Sequence, residues 1–254
     1  MVKRGLLLEE TLQAVNRPNA PKIDPKWKVY QHQLEAFEAL GDKKHCNSII
    51  VSSGTGSGKT ECFMLPLLND LAQEIPPGAK PSRGIRALFL YPLNALIESQ
   101  QERLSNWTKP FNGRIKYCRY NGNTPEVPPS SPGSPEEVRD RKTLRKIVPQ
   151  MLLSNPSMIE RMLMRDEDRP ILETTRKNRC FRWVIIDEAH TYIGTKAADL
   201  ALLLRRVMNA FGADPTQVHF VATSATVDAS DEKAKQALKD FLTDLSGSRP
   251  EQIH

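Results

Sequence analysis

The sequence predicts an α/β fold, a mostly parallel sheet with helices on both faces. Two observations carry that prediction. Apolar runs rich in β-branched residues recur along the chain, and between them lie longer segments with leucine and alanine three and four apart. A third points the same way: a glycine-rich stretch sits between one such run and one such segment, where parallel α/β folds place their ligands. At 254 residues the chain is long enough for one large domain.

Taken in order, residues 1–28 read as a helix followed by a proline-bearing linker, and 29–254 as the sheet domain. The candidate strands are NSIIVSS (47–53), IRALFLYP (85–92), GRIKYCRY (113–120), VPQMLLS (148–154), FRWVIID (181–187) and VHFVATSAT (218–226). Their near-continuous apolarity is that of strands covered on both faces. Segments 58–75, 93–107, 157–165 and 188–211 read as crossover helices, and a further helix follows at 231–245. Pro66 falls inside the first and should bend it, because a mid-helix proline removes one backbone hydrogen bond. Residues 121–140 concentrate proline, serine and glycine and cannot supply a core, so they read as an exposed, mobile loop. The basic run after it, Arg139, Arg141, Lys142, Arg145 and Lys146, reads first as a solvated helix face and second as a phosphate contact.

Composition narrows the function classes. The net charge of +6 gives a mildly basic surface that suits a polyanionic partner without requiring one. Four cysteines, with no C-x-x-C pair, argue against a zinc site or a disulfide framework and for a reducing compartment. No run approaches the ~20 apolar residues that span a bilayer. The opening MVKRGLLLEETLQAV turns acidic too early for a signal peptide. The expectation is a soluble, cytoplasmic protein with no membrane partner.

The glycine-rich stretch is SSGTGSGKTE, residues 52–61. Gly54, Thr55, Gly56, Ser57 and Gly58 would let backbone N–H groups converge on phosphate oxygens, in space that larger side chains would fill. Lys59 would neutralise the β and γ phosphates of a nucleotide, and the Thr60 hydroxyl would coordinate magnesium (Mg2+). Ser53 stands where the common G-x-x-x-x-G-K-[ST] pattern has its first glycine. A second site, WVIIDEAH at 183–190, ends an apolar strand in two acids. Asp187 would accept from the water shell of the metal, and Glu188 would orient and deprotonate the attacking water. Taken singly, an Asp-Glu pair is more simply a solvated helix start; the phosphate loop in the same chain reverses that preference.

GSGKT, DEAH and TSAT, in this order and spacing, resemble the first RecA-like lobe of superfamily 2 helicases and translocases, a likeness that covers the chain from about residue 29. The resemblance implies ATP with Mg2+ as cofactors. It also implies that His190, the last residue of DEAH, contacts Ser224 of SAT, which with Thr226 links nucleotide state to strand movement. VYQHQLEAF, residues 29–37, lies where that family reads adenine, with Gln33 on the base edge and Tyr30 stacked on the ring. Spacing alone equally fits an ordinary helix that buries Tyr30, Leu34 and Phe37.

Within superfamily 2, the strings YPLNALIESQQERL, YNGNTPE, LLSNPSMIERML and DEAHTYIGTKAADLALLLRRV are similar to one branch. It contains the MrfA-type DNA repair helicases and the large helicases of the Druantia and DISARM anti-phage systems. The likeness implies that Pro92, Asn94, Ala95 and Gln100, with Asn155 and Pro156, lie along the groove that holds one nucleic-acid strand, DNA in that branch. Ser157 stands where the branch typically has Asp, which removes a charge from that contact. It also implies defence-system proteins as possible partners. Helix starts after YP and SNP offer free N–H groups to a phosphodiester backbone on chemical grounds as well.

Motors of this superfamily use two RecA-like lobes, and no second phosphate-binding sheet follows TSAT. The expectation is therefore the first lobe of a longer protein, or a truncated product, that binds ATP weakly and turns it over poorly alone. Two other readings share the motifs: a non-hydrolysing clamp or regulatory subunit that binds DNA, and the motor subunit of a restriction-type complex.

Overall fold

The structure, a computed structural model, describes residues 7–15, 29–42, 45–52, 58–80, 82–192, 194–224, 232–246 and 252–254. Seven parallel strands form one sheet: β1 (Ile49–Ser52), β2 (Ala87–Leu90), β3 (Tyr117–Arg119), β4 (Glu137–Val138), β5 (Met151–Ser154), β6 (Trp183–Ile186) and β7 (His219–Ser224). Their spatial order is β1-β7-β6-β2-β5-β3-β4. All six expected strands are present. β4 escapes a sequence reading because two residues carry no periodicity.

The helices are α1 (Glu9–Val15), α2 (Gln31–Leu40), α3 (Lys59–Glu74), α4 (Asn94–Ser99), α5 (Gln101–Thr108), α6 (Arg141–Ile147), α7 (Pro156–Met164), α8 (Arg169–Asn178), α9 (Thr195–Phe211) and α10 (Glu232–Ser246). Side chains that alternate along the strands feed two cores. Ala87 and Phe89 of β2 pack with Phe37, Leu67, Leu68 and Trp107 beneath α2 to α5. Leu88 and Leu90 face the other way, toward Leu144, Ile159, Leu204 and Val207 beneath α6 to α10. Burial on both faces explains why β2 and β6 are apolar throughout and β5 is apolar up to Ser154. No described helix is long and apolar enough to cross a membrane.

Several segments differ from the sequence reading. The helix expected over 93–107 breaks at Gln100, where Ser99 turns its hydroxyl back onto the Leu96 carbonyl at 2.8 Å and competes with the helix ladder. The helix expected from 188 begins only at Thr195. Glu188 takes a left-handed conformation (φ 50°), a short 3-10 turn spans Ala189–Thr191, and Gly194 has φ 60°. α3 is continuous across Pro66, which is buried.

The proline-rich loop is exposed over 125–133 but tied down at both ends. Arg139 donates to the Ser131 carbonyl and hydroxyl, and Arg141 to the carbonyls of Thr124 and Asn121. The basic run is therefore neither a wholly solvated face nor a free phosphate site, since its arginines are spent as internal straps. α1 rests on α3, where the Leu8 N–H donates to Asn69 Oδ1 at 2.6 Å. Residues 252–254 cover the outer edge of β1: Ile50 N–H donates to the His254 carbonyl at 2.8 Å, and His254 N–H to the Ser48 carbonyl at 3.0 Å.

Candidate nucleotide site and strand groove

Apart from Tyr30 and Gln33 at the start of α2 and Ala95 and Gln100 along α4, the expected site residues within the described segments lie at or just beyond the carboxyl ends of the strands. β1 leads into the glycine loop, β7 ends at Ser224, and β6 delivers Asp187 and Glu188. Because β7 alone separates β1 from β6, their ends stand about 10 Å apart. Gly54, Thr55, Gly56 and Ser57, and Thr226 of TSAT, lie outside the described residues. Gly58, Lys59 and Thr60 open α3.

Gly58 is left-handed (φ 80°), a conformation that strains any residue with a side chain, and a Cβ there would also sit 2.4 Å from Gln33 Nε2 and push that amide aside. Gln33 donates from Nε2 to the Gly58 carbonyl at 3.3 Å and accepts the Tyr30 N–H at 3.2 Å. It ties the start of α2 to the end of the loop. One amide donor and one lone pair remain for a further partner. Tyr30 is 64% exposed, with its ring stacked on His32 at 5.5 Å. Its ring is thus not part of the buried stripe that the plain-helix reading requires.

Asp187 is raised above the usual carboxylate range by burial, with the Glu188 charge acting in the same direction. The Thr223 hydroxyl bond and the Lys59 charge pull it back. The Lys59 ammonium is thus near enough for its charge to act on the Asp187 carboxyl. Thr223 donates its hydroxyl to Asp187 Oδ1 and accepts the Glu188 N–H at 3.4 Å. It was not singled out in the sequence, although it is the first threonine of TSAT. His190 Nδ1 lies 3.2 Å from Ser224 Oγ and 3.3 Å from Glu188 Oε2, so DEAH and SAT meet through the imidazole. Glu188 Oε2 is shut off from solvent and has no hydrogen bond of its own.

This donor set fits a magnesium nucleotide. Among the described residues, no three His, Cys, Asp or Glu side chains gather in a way that could hold a metal ion. A metal here would be held by one carboxylate, one hydroxyl and phosphate oxygens, which suits magnesium. Glu188 Oε2 is instead turned toward the His190 imidazole, so the pair links the acid to Ser224. Cys62 is no nucleophile, because burial pushes its thiol up to about 12.

The second half of the same edge is formed by β2, β5 and β3. Asn155 caps α7 by accepting the Met158 N–H at 2.8 Å, and donates from Nδ2 to Asn94 Oδ1 at 2.7 Å. Pro92, Leu93, Asn155 and Pro156 line one wall of a groove of about 1190 Å³, with Lys196 and Arg206 of α9 opposite. Ala95 is exposed, and Gln100 stands half-buried at the α4–α5 break. The structure thus brings Pro92, Asn94, Asn155 and Pro156 together, whereas Ala95 and Gln100 are not among the residues that line the groove.

Residues 30–234 match the DEAD/DEAH box helicase family. The chain belongs to the DEAD/DEAH box helicases. Relatives include the uncharacterized ATP-dependent helicase YprA of Bacillus subtilis, 28% identical over 231 residues that cover 86% of this chain and 27% of YprA. The Druantia protein DruE of Escherichia coli is 25% identical, over 87% of this chain and 17% of its own. The chain therefore spans about a quarter or less of the length of these relatives. Among solved structures, the DUF1998 helicase MrfA bound to DNA and AMPPNP has the same fold, with TM-score 0.65 over 98% of this chain and 29% of that one, at 24% identity.

Proposed function

We propose that this chain is the first motor lobe, spanning 29–254, of an ATP-dependent helicase or translocase that acts on DNA. The observation that carries the reading is the placement of Lys59, at the start of α3 after β1, and of Asp187 and Glu188, at the end of β6, on the same sheet edge, with the Lys59 charge acting on Asp187, beside a groove lined by Pro92, Asn155 and Pro156. MrfA, whose fold this chain shares, is described bound to DNA and AMPPNP, which supports DNA and ATP as the ligands. The likeness to DruE supports a setting in anti-phage defence alongside partner proteins.

Magnesium, when bound, would neutralise charge on the β and γ phosphates. Lys59 binds the same phosphates as a point charge. Asp187, steadied by Thr223, holds the metal side of the pocket, while Glu188 takes a proton from the attacking water. His190 then carries the position of Glu188 to Ser224 and so to β7. Along the second half of the edge, Asn94 and Asn155 hold two helix starts together, and their N–H groups grip phosphates without reading bases. A second lobe would complete the engine by supplying arginines to the transferred phosphoryl group, an effect worth ~10³–10⁵ in rate in related NTPases.

The test is nucleotide binding by the chain and its Lys59→Ala variant. The variant should lose ATP binding; equal binding by both removes the site assignment. Affinity for a single strand should also fall with salt, by a log–log slope of about −0.7 per phosphate contacted.

A further inference from the structure

The Thr60 hydroxyl has a partner that the motif pattern does not supply. Arg103 of α5 donates from Nη1 to Thr60 Oγ1 at 2.7 Å, across 43 residues of sequence. Its charge also reaches Tyr91, the buried phenol on which Asp187 acts as well. The guanidinium therefore lies against Thr60 and within electrostatic reach of Tyr91. α5 begins directly after Gln100, where α4 ends, and α4 starts with Asn94, whose Oδ1 accepts from Asn155 at 2.7 Å. One pair of short helices thus touches the phosphate-loop threonine at one end and the strand groove at the other.

We infer that Arg103 is a positioning residue that couples magnesium-nucleotide binding to the strand groove, by holding Thr60 Oγ1 until the metal claims it. The inference rests on the reading of Thr60 as a magnesium ligand. Its physical basis is competition for one oxygen. A guanidinium has five donors and no acceptor, so this contact occupies a lone pair on Oγ1. A hard dication seeks the same oxygen, and a fixed positive charge beside it opposes the arrival of two more. Magnesium nucleotide must therefore displace Arg103, and the helix that loses its anchor is joined through Gln100 alone to the one that begins at Asn94. By linkage, a strand that draws α4 and α5 into the groove pulls Arg103 off Thr60 and eases metal binding by the same factor.

The experiment titrates the 254-residue chain with a fluorescent non-hydrolysable ATP analogue at graded magnesium concentrations. It also titrates the chain with a thymidine oligonucleotide, with and without that magnesium nucleotide. In the parent chain, magnesium nucleotide should change strand affinity ~5-fold or more. Arg103→Ala should lower the magnesium concentration for half-maximal nucleotide binding several-fold and bring the strand-affinity ratio to about one. Arg103→Lys, which keeps the charge and a donor, should restore part of both effects. A parent chain that binds no nucleotide refutes the motor-lobe reading and this inference with it. A parent that binds nucleotide but shows no coupling, or coupling and magnesium dependence that Arg103→Ala leaves unaltered, overturns this inference alone.

Discussion

Glu188 is held in the left-handed region (φ 50°), which costs a non-glycine residue of order 1 kcal/mol and persists only where the surroundings enforce it. Thr223 below and His190 beside supply that enforcement, and the result is a carboxylate oxygen with no hydrogen bond of its own. Glu188→Gln keeps the shape and removes the base. In a protein that includes the second lobe, it should retain nucleotide binding while turnover falls by about 10²–10⁴; parallel binding and rate assays check this, and unimpaired turnover removes Glu188 as the base. Thr223→Val keeps the volume but strips the hydroxyl from Asp187. It should weaken magnesium affinity by ~10–100-fold, as loss of an outer-shell partner does, measured as a shift in the magnesium dependence of nucleotide binding. Lys59, Asp187 and Glu188 stood out because they abut a glycine loop or end an apolar strand, and His190 and Ser224 through the DEAH and SAT likeness. Thr223 and Arg103 did not, since a strand hydroxyl and one helical arginine carry no spacing signature, and only the fold brings them to Asp187 and Thr60.

At the scale of elements, the arginines of α6 separate packing from ligand binding. Arg145 donates from Nε to Asp168 Oδ1 at 2.9 Å, and Asp168 is fully buried and also accepts the Tyr120 hydroxyl at 2.8 Å. Arg145→Ala would leave that carboxylate uncompensated, at a cost of about 3–5 kcal/mol. Lys142 and Lys146 are exposed on the same helix, and their alanine variants should stay within about 0.5 kcal/mol of the parent. Urea unfolding of the three variants distinguishes a strap from a solvated face. The distinction was invisible in the sequence, where all five basic residues look alike. The six longer strands could be read because their centres are buried between the two cores, which makes runs such as ALFL and WVII wholly apolar. α8 could not, since RPILETTRKN offers only Ile171 and Leu172 as apolar positions and so has no helical stripe to detect. The split of 93–107 into α4 and α5 was hidden too, because the break at Gln100 leaves the apolar spacing intact.

Across the whole molecule, the two edges of the sheet are built differently. The carboxyl edge gathers the groups assigned to nucleotide and strand, while the opposite edge is closed by a charged network. Arg86, 2% exposed, donates from Nε to both Glu74 oxygens at 3.1 and 3.2 Å, and Arg182 reaches Glu74 at 2.6 Å and Asp70 at 2.7 Å. Trp183 adds its indole N–H to Asp70 at 2.7 Å. The end of α3 is thereby clamped to the starts of β2 and β6, the strands that carry Pro92 and Asp187 at their far ends. Burial pushes Glu74 upward, but the Arg86 hydrogen bond and the charges of Arg182 and Arg86 outweigh it and hold the carboxyl down at about 2. A carboxyl depressed in the folded state stabilises the fold fully above its ordinary value of 4.5, and that contribution is lost as pH falls from there through about 2. His219, pushed down by burial from 6.5, loses its contribution as pH falls below that value, so its window opens at higher pH. Glu74→Gln should therefore lower stability above pH 4.5, where it leaves the buried Arg86 without its charged partner. It should also flatten the stability curve between 4.5 and 2 while leaving the slope near 6.5 as in the parent. Urea unfolding across both windows measures this, and parent and variant curves that run parallel between 4.5 and 2 would show that the clamp does not depend on the Glu74 charge.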